Sequence, residues 1–149
     1  VEWYFGYTYP NSDLTCQDWR SREKAWEFSR YALEFFQENV PFQDMLPDNL
    51  LTSLDSDYVM AREGEVYVVY FPEWGHNQID LREHRGPFTV QWFNPRTGEG
   101  PLTGEALKER YPQRRIESLS TIEGRNWADL GPAPYDHHED WVVLLKKSK

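Results

Sequence analysis

The sequence predicts a mainly β protein, an antiparallel β-sandwich of about seven or eight strands preceded by one long α-helix. Three observations carry that expectation. The run Val66-Tyr67-Val68-Val69-Tyr70-Phe71 is continuous, aromatic and β-branched. A second run, Phe88-Thr89-Val90-Gln91-Trp92-Phe93, stops at the turn Asn94-Pro95-Arg96-Thr97-Gly98, and a third, Trp141-Val142-Val143-Leu144-Leu145-Lys146, closes the chain. Finally, residues 18–38 carry apolar side chains at helical rather than alternating spacing.

The helix is expected to start at Asp18 or Ser21, where Asp18 can cap it and Glu23 suits the first turn. Pro41 and the restricted residue before it end the helix near Glu38. Its apolar residues form two faces. Trp26, Leu33 and Phe36, with Ala25 and Ala32, make one; Phe28, Tyr31 and Phe35 make the other. A helix apolar on two sides is wedged between two partners.

Residues 40–54 read as a linker-like crossing, punctuated by Pro41 and Pro47-Asp48-Asn49. Strands are expected at 58–61, 66–71, 78–81, 88–93, 116–122, 127–130 and 141–146. Arg62-Glu63-Gly64-Glu65 is a hairpin connection, and in Asn94-Pro95-Arg96-Thr97-Gly98 Pro95 presets φ while Gly98 permits a positive one. Residues 100–115 look like an insertion with a short helix near 104–111, and 131–139 is a second long loop. In strands 66–71 and 141–146 both alternating faces are apolar, so these are central strands, with the opposite sheet on one side and the helix available for the other.

The chain has 149 residues, enough for one ordinary domain plus a packed helix. A net charge of −9 argues against nucleic acid and anionic membrane as partners. It suits a neutral polysaccharide, a protein partner or simple solubility. Cys16 is the only cysteine, which excludes a disulfide framework and a cysteine-based zinc site. No run is long enough for a transmembrane span. The start at Val1-Glu2-Trp3, without initiator Met or signal pattern, reads as an internal start point, so the chain does not reveal localisation. The aromatic segment Val1–Pro10 is apolar on both faces. It reads as a strand or loop of a neighbouring domain, with an edge strand docked on the sandwich as the alternative, and it could drive dimerisation if left uncovered.

No nucleophile elbow, P-loop or dinucleotide fingerprint is present. Asp136-His137-His138-Glu139-Asp140 is the densest set of potential metal ligands, but zinc spacings are not met and a solvated loop is expected, with neither metal nor cofactor. His76 and His84 flank a polar strand and are expected at the surface. Trp74, on a glycine-containing loop with Glu73, His76 and Asn77 beside it, is the best sugar-stacking candidate. Trp92 and Trp141 alternate with apolar strand residues and are expected in the core. Arg96 is expected to brace its turn through carbonyls or an acidic neighbour.

Taken together, Glu2-Trp3-Tyr4-Phe5-Gly6-Tyr7, Asp18-Trp19-Arg20-Ser21-Arg22, Tyr31-Ala32-Leu33-Glu34-Phe35-Phe36 and Pro41-Phe42 resemble the end of an apiosidase-like glycoside hydrolase barrel. The segments Tyr58-Val59-Met60-Ala61, Gly64 to Tyr70, Trp92 to Gly98, and Asp140-Trp141 to Lys147 resemble the C-terminal module of those proteins, which is named a "putative collagen-binding domain". The resemblance implies residues 1–50 as the remnant of a TIM barrel and 51–149 as an accessory sandwich. It implies a bacterial parent, secreted or periplasmic, whose catalytic carboxylates lie on strands outside this chain. The chain itself would be non-catalytic, its partners the barrel and a polysaccharide. Glu2 and Trp3 would line the parent's pocket. A collagen-binding-like, protein-binding module is the alternative, and a hydrolase in its own right a more distant one.

Overall fold

The computed structural model describes residues 23–73 and 78–148. Helix α1 (Glu23–Asn39) is followed by a turn of 3-10 helix at Phe42–Asp44 and the short strand β1 (Leu46–Pro47). Strands β2 (Tyr58–Arg62), β3 (Val66–Phe71), β4 (Gln78–Asp80) and β5 (Pro87–Asn94) follow. Next come β6 (Glu99–Thr103), α2 (Gly104–Arg110), β7 (Thr121–Glu123), β8 (Trp127–Asp129) and β9 (Trp141–Lys147). Seven strands form one antiparallel sheet in the order β1-β2-β3-β9-β5-β6, with β7 paired to the first half of β5. The ribbon β4-β8 forms a second layer. The antiparallel sandwich with a preceding helix is therefore the architecture of the chain. No described helix is long and apolar enough to cross a membrane.

The alternation within β3 and β9 explains the layering. Tyr67, Val69 and Phe71, with Trp141, Val143 and Leu145, point into a core shared with Ile79, Leu81, Phe88, Trp92, Leu107 and Leu130. Val66, Val68, Val142 and Leu144 point the other way, onto Phe35 of α1, with Val40, Met45 and Phe93. Each strand thus has two dry faces, which is why neither reads as apolar-polar alternation. Within α1, Phe35 is buried, and its ring meets Phe93 at 4.5 Å between centroids. Tyr31 packs on the same cluster. Phe28 is 42% exposed, so the inward face is narrower than the three residues expected.

Four expectations need correction. The 40–54 crossing contributes β1 to the sheet edge, with Leu46 opposite Ala61. Asp48 orders the turn after it by accepting a bond from the Leu50 N–H at 3.0 Å. Residues 100–115 are not an insertion outside the fold. They complete β6 and form α2, which Thr103 caps by accepting from the Ala106 N–H, and Leu107 reaches the core. Gly100-Pro101 hides this strand in the sequence, because proline is tolerated only on edges such as this one.

The expected strand at 116–122 shortens to β7. Its first part lies beneath α2 instead, where a Cβ on Gly104 would come within 2.0 Å of the Ser118 carbonyl oxygen. Its Leu119 carbonyl accepts from the Trp92 indole, and only from Ser120, which accepts from the Val90 N–H, does the segment run along β5. His84 is half-buried rather than at the surface. Its ring lies edge-on to Tyr67 at 6.2 Å, and its Nε2 is 3.4 Å from Glu63.

Asp57 is fully buried before β2, and neither carboxylate oxygen has a hydrogen-bond donor among the described residues. Burial without a partner disfavours the charged form and pushes its carboxyl up to about 6. The unfolded chain therefore releases this proton at lower pH than the folded chain does. Stability falls as pH rises between roughly 4 and 6 and stays lower above that window, by about 3 kcal/mol. Asp57→Asn is expected to raise stability at pH 7.5 by about 1–3 kcal/mol and to flatten this dependence. Urea midpoints measured from pH 4 to 8 check both; a variant less stable at pH 7.5 would contradict the assignment.

Candidate functional site

The turn after β5 is built by its own residues. Asn94 is buried; its carbonyl accepts from the Thr97 and Gly98 N–H groups, and its Oδ1 accepts from the Arg96 N–H at 3.0 Å. Pro95 fits the fixed φ, and Gly98 takes a φ of +74°, a conformation that side chains resist. Gly98 also receives Tyr31 of α1: a Cβ there would lie 2.5 Å from the Tyr31 ring. The turn is thus a point where helix and sheet touch.

Arg96 reaches from this turn to the start of β9. Its Nη1 donates to the Asp140 carbonyl and to Asp140 Oδ1, the latter at 2.6 Å, and its guanidinium lies over the Trp141 ring at 5.5 Å. Tyr70 donates to the other Asp140 oxygen at 3.2 Å. Burial first, then the Asp140 charge, raises the Tyr70 hydroxyl above its ordinary value. The Asn-Pro-Arg-Thr-Gly turn and the distant Asp-Trp pair are therefore one structural unit. The expected bracing role of Arg96 is what the structure shows.

Beside this brace lies a cleft of about 600 Å³. Its wall centres on Glu99, whose carboxylate accepts from the hydroxyls of Tyr135 (2.5 Å) and Tyr111 (2.6 Å) and forms an ion pair with Arg110, whose Nε lies 2.7 Å away. Burial, then this bond to Glu99, pushes the Tyr135 hydroxyl far upward, so it stays a donor. Tyr135 is fixed on its other side by Trp141, ring against edge at 4.9 Å, while Trp141 Nε1 donates to the Tyr135 carbonyl. Arg114 lies over the Tyr135 ring at 4.3 Å and the Tyr111 ring at 5.3 Å. Glu99 thus ties two phenols and an arginine together on the cleft wall.

A second concavity, of about 560 Å³, is apolar. Ala32, Leu33 and Phe36 of α1 line it with Phe42 and Met60. Leu33 is 57% exposed there.

Of the residues expected to bind sugar, Glu73 is exposed just past β3. Trp74, His76, Asn77, Glu2 and Trp3 lie outside the described residues. Asp136, His137, His138 and Glu139 are exposed on the loop before β9. Among the described residues no three His, Cys, Asp or Glu side chains converge as a metal-binding group. The Glu99 cleft was not anticipated, because its residues come from the supposed insertion and a long loop. The joint spacing of Asn94–Gly98 and Asp140-Trp141 was the signal that pointed to its edge.

Residues 40–146 match the family model described as "Putative collagen-binding domain of a collagenase". The chain belongs to this family. No curated protein matches this collagen-binding-type chain significantly. Solved structures that share its fold include two glycoside hydrolases. One is described as a glycoside hydrolase, with a TM-score of 0.60 at 12% identity. The other is a glycoside hydrolase family 5 protein from Bacteroides vulgatus ATCC 8482, with a TM-score of 0.61 at 14% identity. They cover 90% and 96% of this chain, which spans only 28% and 29% of their lengths. The collagen-binding-type fold thus occurs as a minor part of much longer glycoside hydrolases. Since the second overlay covers 96% of the chain, it includes α1, which lies before the matched family region.

Proposed function

We propose that this chain is the C-terminal accessory part of a glycoside-hydrolase-like protein, and that its sandwich buttresses a catalytic barrel through α1. In this reading residues 1–50 end the barrel and 51–149 form the module, with β1 drawn into the module's sheet. One observation carries it: α1 is apolar on two sides, and the sandwich closes only one of them. Phe35 is buried against β3, β9 and Phe93, while Leu33 and Phe36 line an open apolar groove. An apolar surface of this kind calls for a covering partner. The occurrence of the same fold, α1 included, within longer glycoside hydrolases supports the barrel as that partner. The collagen in the family's description extends to this chain only as a candidate ligand.

The experiment is Leu33→Glu. In this chain the side chain is largely exposed and the change should be close to neutral. In the full-length parent it would place a charge in an apolar interface and destabilise the barrel–module unit by about 3 kcal/mol. A parent indifferent to the substitution removes the proposal.

A further inference from the structure

We propose that the Glu99 cleft is a binding site for saccharides that carry a carboxylate, with Arg114 as the residue that recognises it. The inference does not depend on what covers α1. The chain as a whole is strongly acidic, at −9. Yet this cleft is lined by three arginines, Arg96, Arg110 and Arg114, against the carboxylates of Glu99 and Asp136.

The three arginines are not equivalent. Arg110 is paired with Glu99 at 2.7 Å, and Arg96 is locked onto Asp140 at 2.6 Å. Arg114 is exposed and has no ion pair among the described residues; it rests on the faces of Tyr135 and Tyr111. Glu99 is engaged elsewhere, by the two phenols and by its ion pair with Arg110. A planar guanidinium lining a concave site, with no ion pair or side-chain hydrogen bond among the described residues, suits bidentate pairing with a planar carboxylate.

The tyrosines supply the second half of the recognition. When Arg114 turns from the rings toward a ligand carboxylate, it uncovers aromatic surface on which the C–H face of a pyranose packs. A uronate unit presents both features on one ring, a carboxylate at its edge and an apolar face. The cleft, at about 600 Å³, is within the usual size of a small-ligand site. Free phosphate or sulfate would engage the arginine but not the rings. A polynucleotide needs a basic track that this acidic chain lacks.

Calorimetric titration of the folded chain with oligogalacturonate at low ionic strength tests the proposal, with a neutral cello-oligosaccharide and a sulfated oligosaccharide as comparison ligands. Binding of the uronate is expected, weakening as salt is raised. Arg114→Ala should weaken it about tenfold or more, the loss of one charge-assisted pair. Arg114→Lys should fall between the two, since it keeps the charge but not the planar fork. Arg114 is exposed, so both variants should keep the wild-type circular dichroism, which checks that they fold. No uronate binding, equal binding of the neutral oligosaccharide, preference for the sulfated one, or uronate binding unchanged by Arg114→Ala would each overturn the proposal.

Discussion

Trp92→Ala is expected to destabilise the chain by about 4 kcal/mol, close to the whole stability of many small domains. The ring is 1% exposed. It stands on β5, between β9 on one side and β6 on the other, and meets Trp141 edge to face at 6.3 Å. Truncation removes a large apolar group and leaves a cavity that the flanking strands are too well tied to fill. A second effect adds to the first. Trp92 Nε1 donates to the Leu119 carbonyl at 3.2 Å, so alanine leaves that part-buried acceptor without its partner. Through Trp141 the damage should reach Tyr135, whose ring and carbonyl both rest on that side chain. Urea unfolding followed by far- and near-ultraviolet circular dichroism measures the change. A loss under about 1 kcal/mol would mean that the sandwich core is not organised around this residue.

Phe35→Ala should cost about 3 kcal/mol, and it should act locally first. Phe35 is 3% exposed, the most deeply buried residue of α1, and packs on Phe93, Val68, Val142 and Leu144. Without that ring α1 keeps Tyr31 on the Gly98 turn and part of Phe36, too little to hold a helix of 17 residues firmly. Hydrogen exchange of the variant should therefore show the α1 amides opening well before those of β3 and β9. Equal loss of protection in helix and sheet would instead place α1 within the same cooperative unit as the sandwich core.

Where the sequence read correctly, it did so because a local pattern had a single physical outcome. The double-sided strands 66–71 and 141–146 could lie only between two layers, and they do. Pro95 and Gly98 restrict the backbone of their turn, and the Asn94 side chain completes it from within the same five residues. The errors arose where tertiary partners decided. Leu46-Pro47 is too short to read as a strand and becomes one only because β2 offers a free edge. Ile116 to Ser120 has strand-like composition, but the start of α2 sits against Ser118 and the Leu119 carbonyl serves the Trp92 indole. The cleft was illegible for a related reason. Glu99, Tyr111 and Tyr135 come from three segments, and nothing in their spacing announces that two phenols will share one carboxylate. Arg96 was legible in role, though its partner, 44 residues away, was not.

If α1 is a shared wall, closed on one side by the sandwich and on the other by a preceding barrel, calorimetric unfolding of Leu33→Glu in two settings, this chain and the full-length parent, reveals it most directly. Wild type and variant should melt superimposably in this chain. In the parent the melting temperature should fall clearly, with the barrel and sandwich transitions separating. Identical melting in the parent, or a large loss of stability already in this chain, would contradict it.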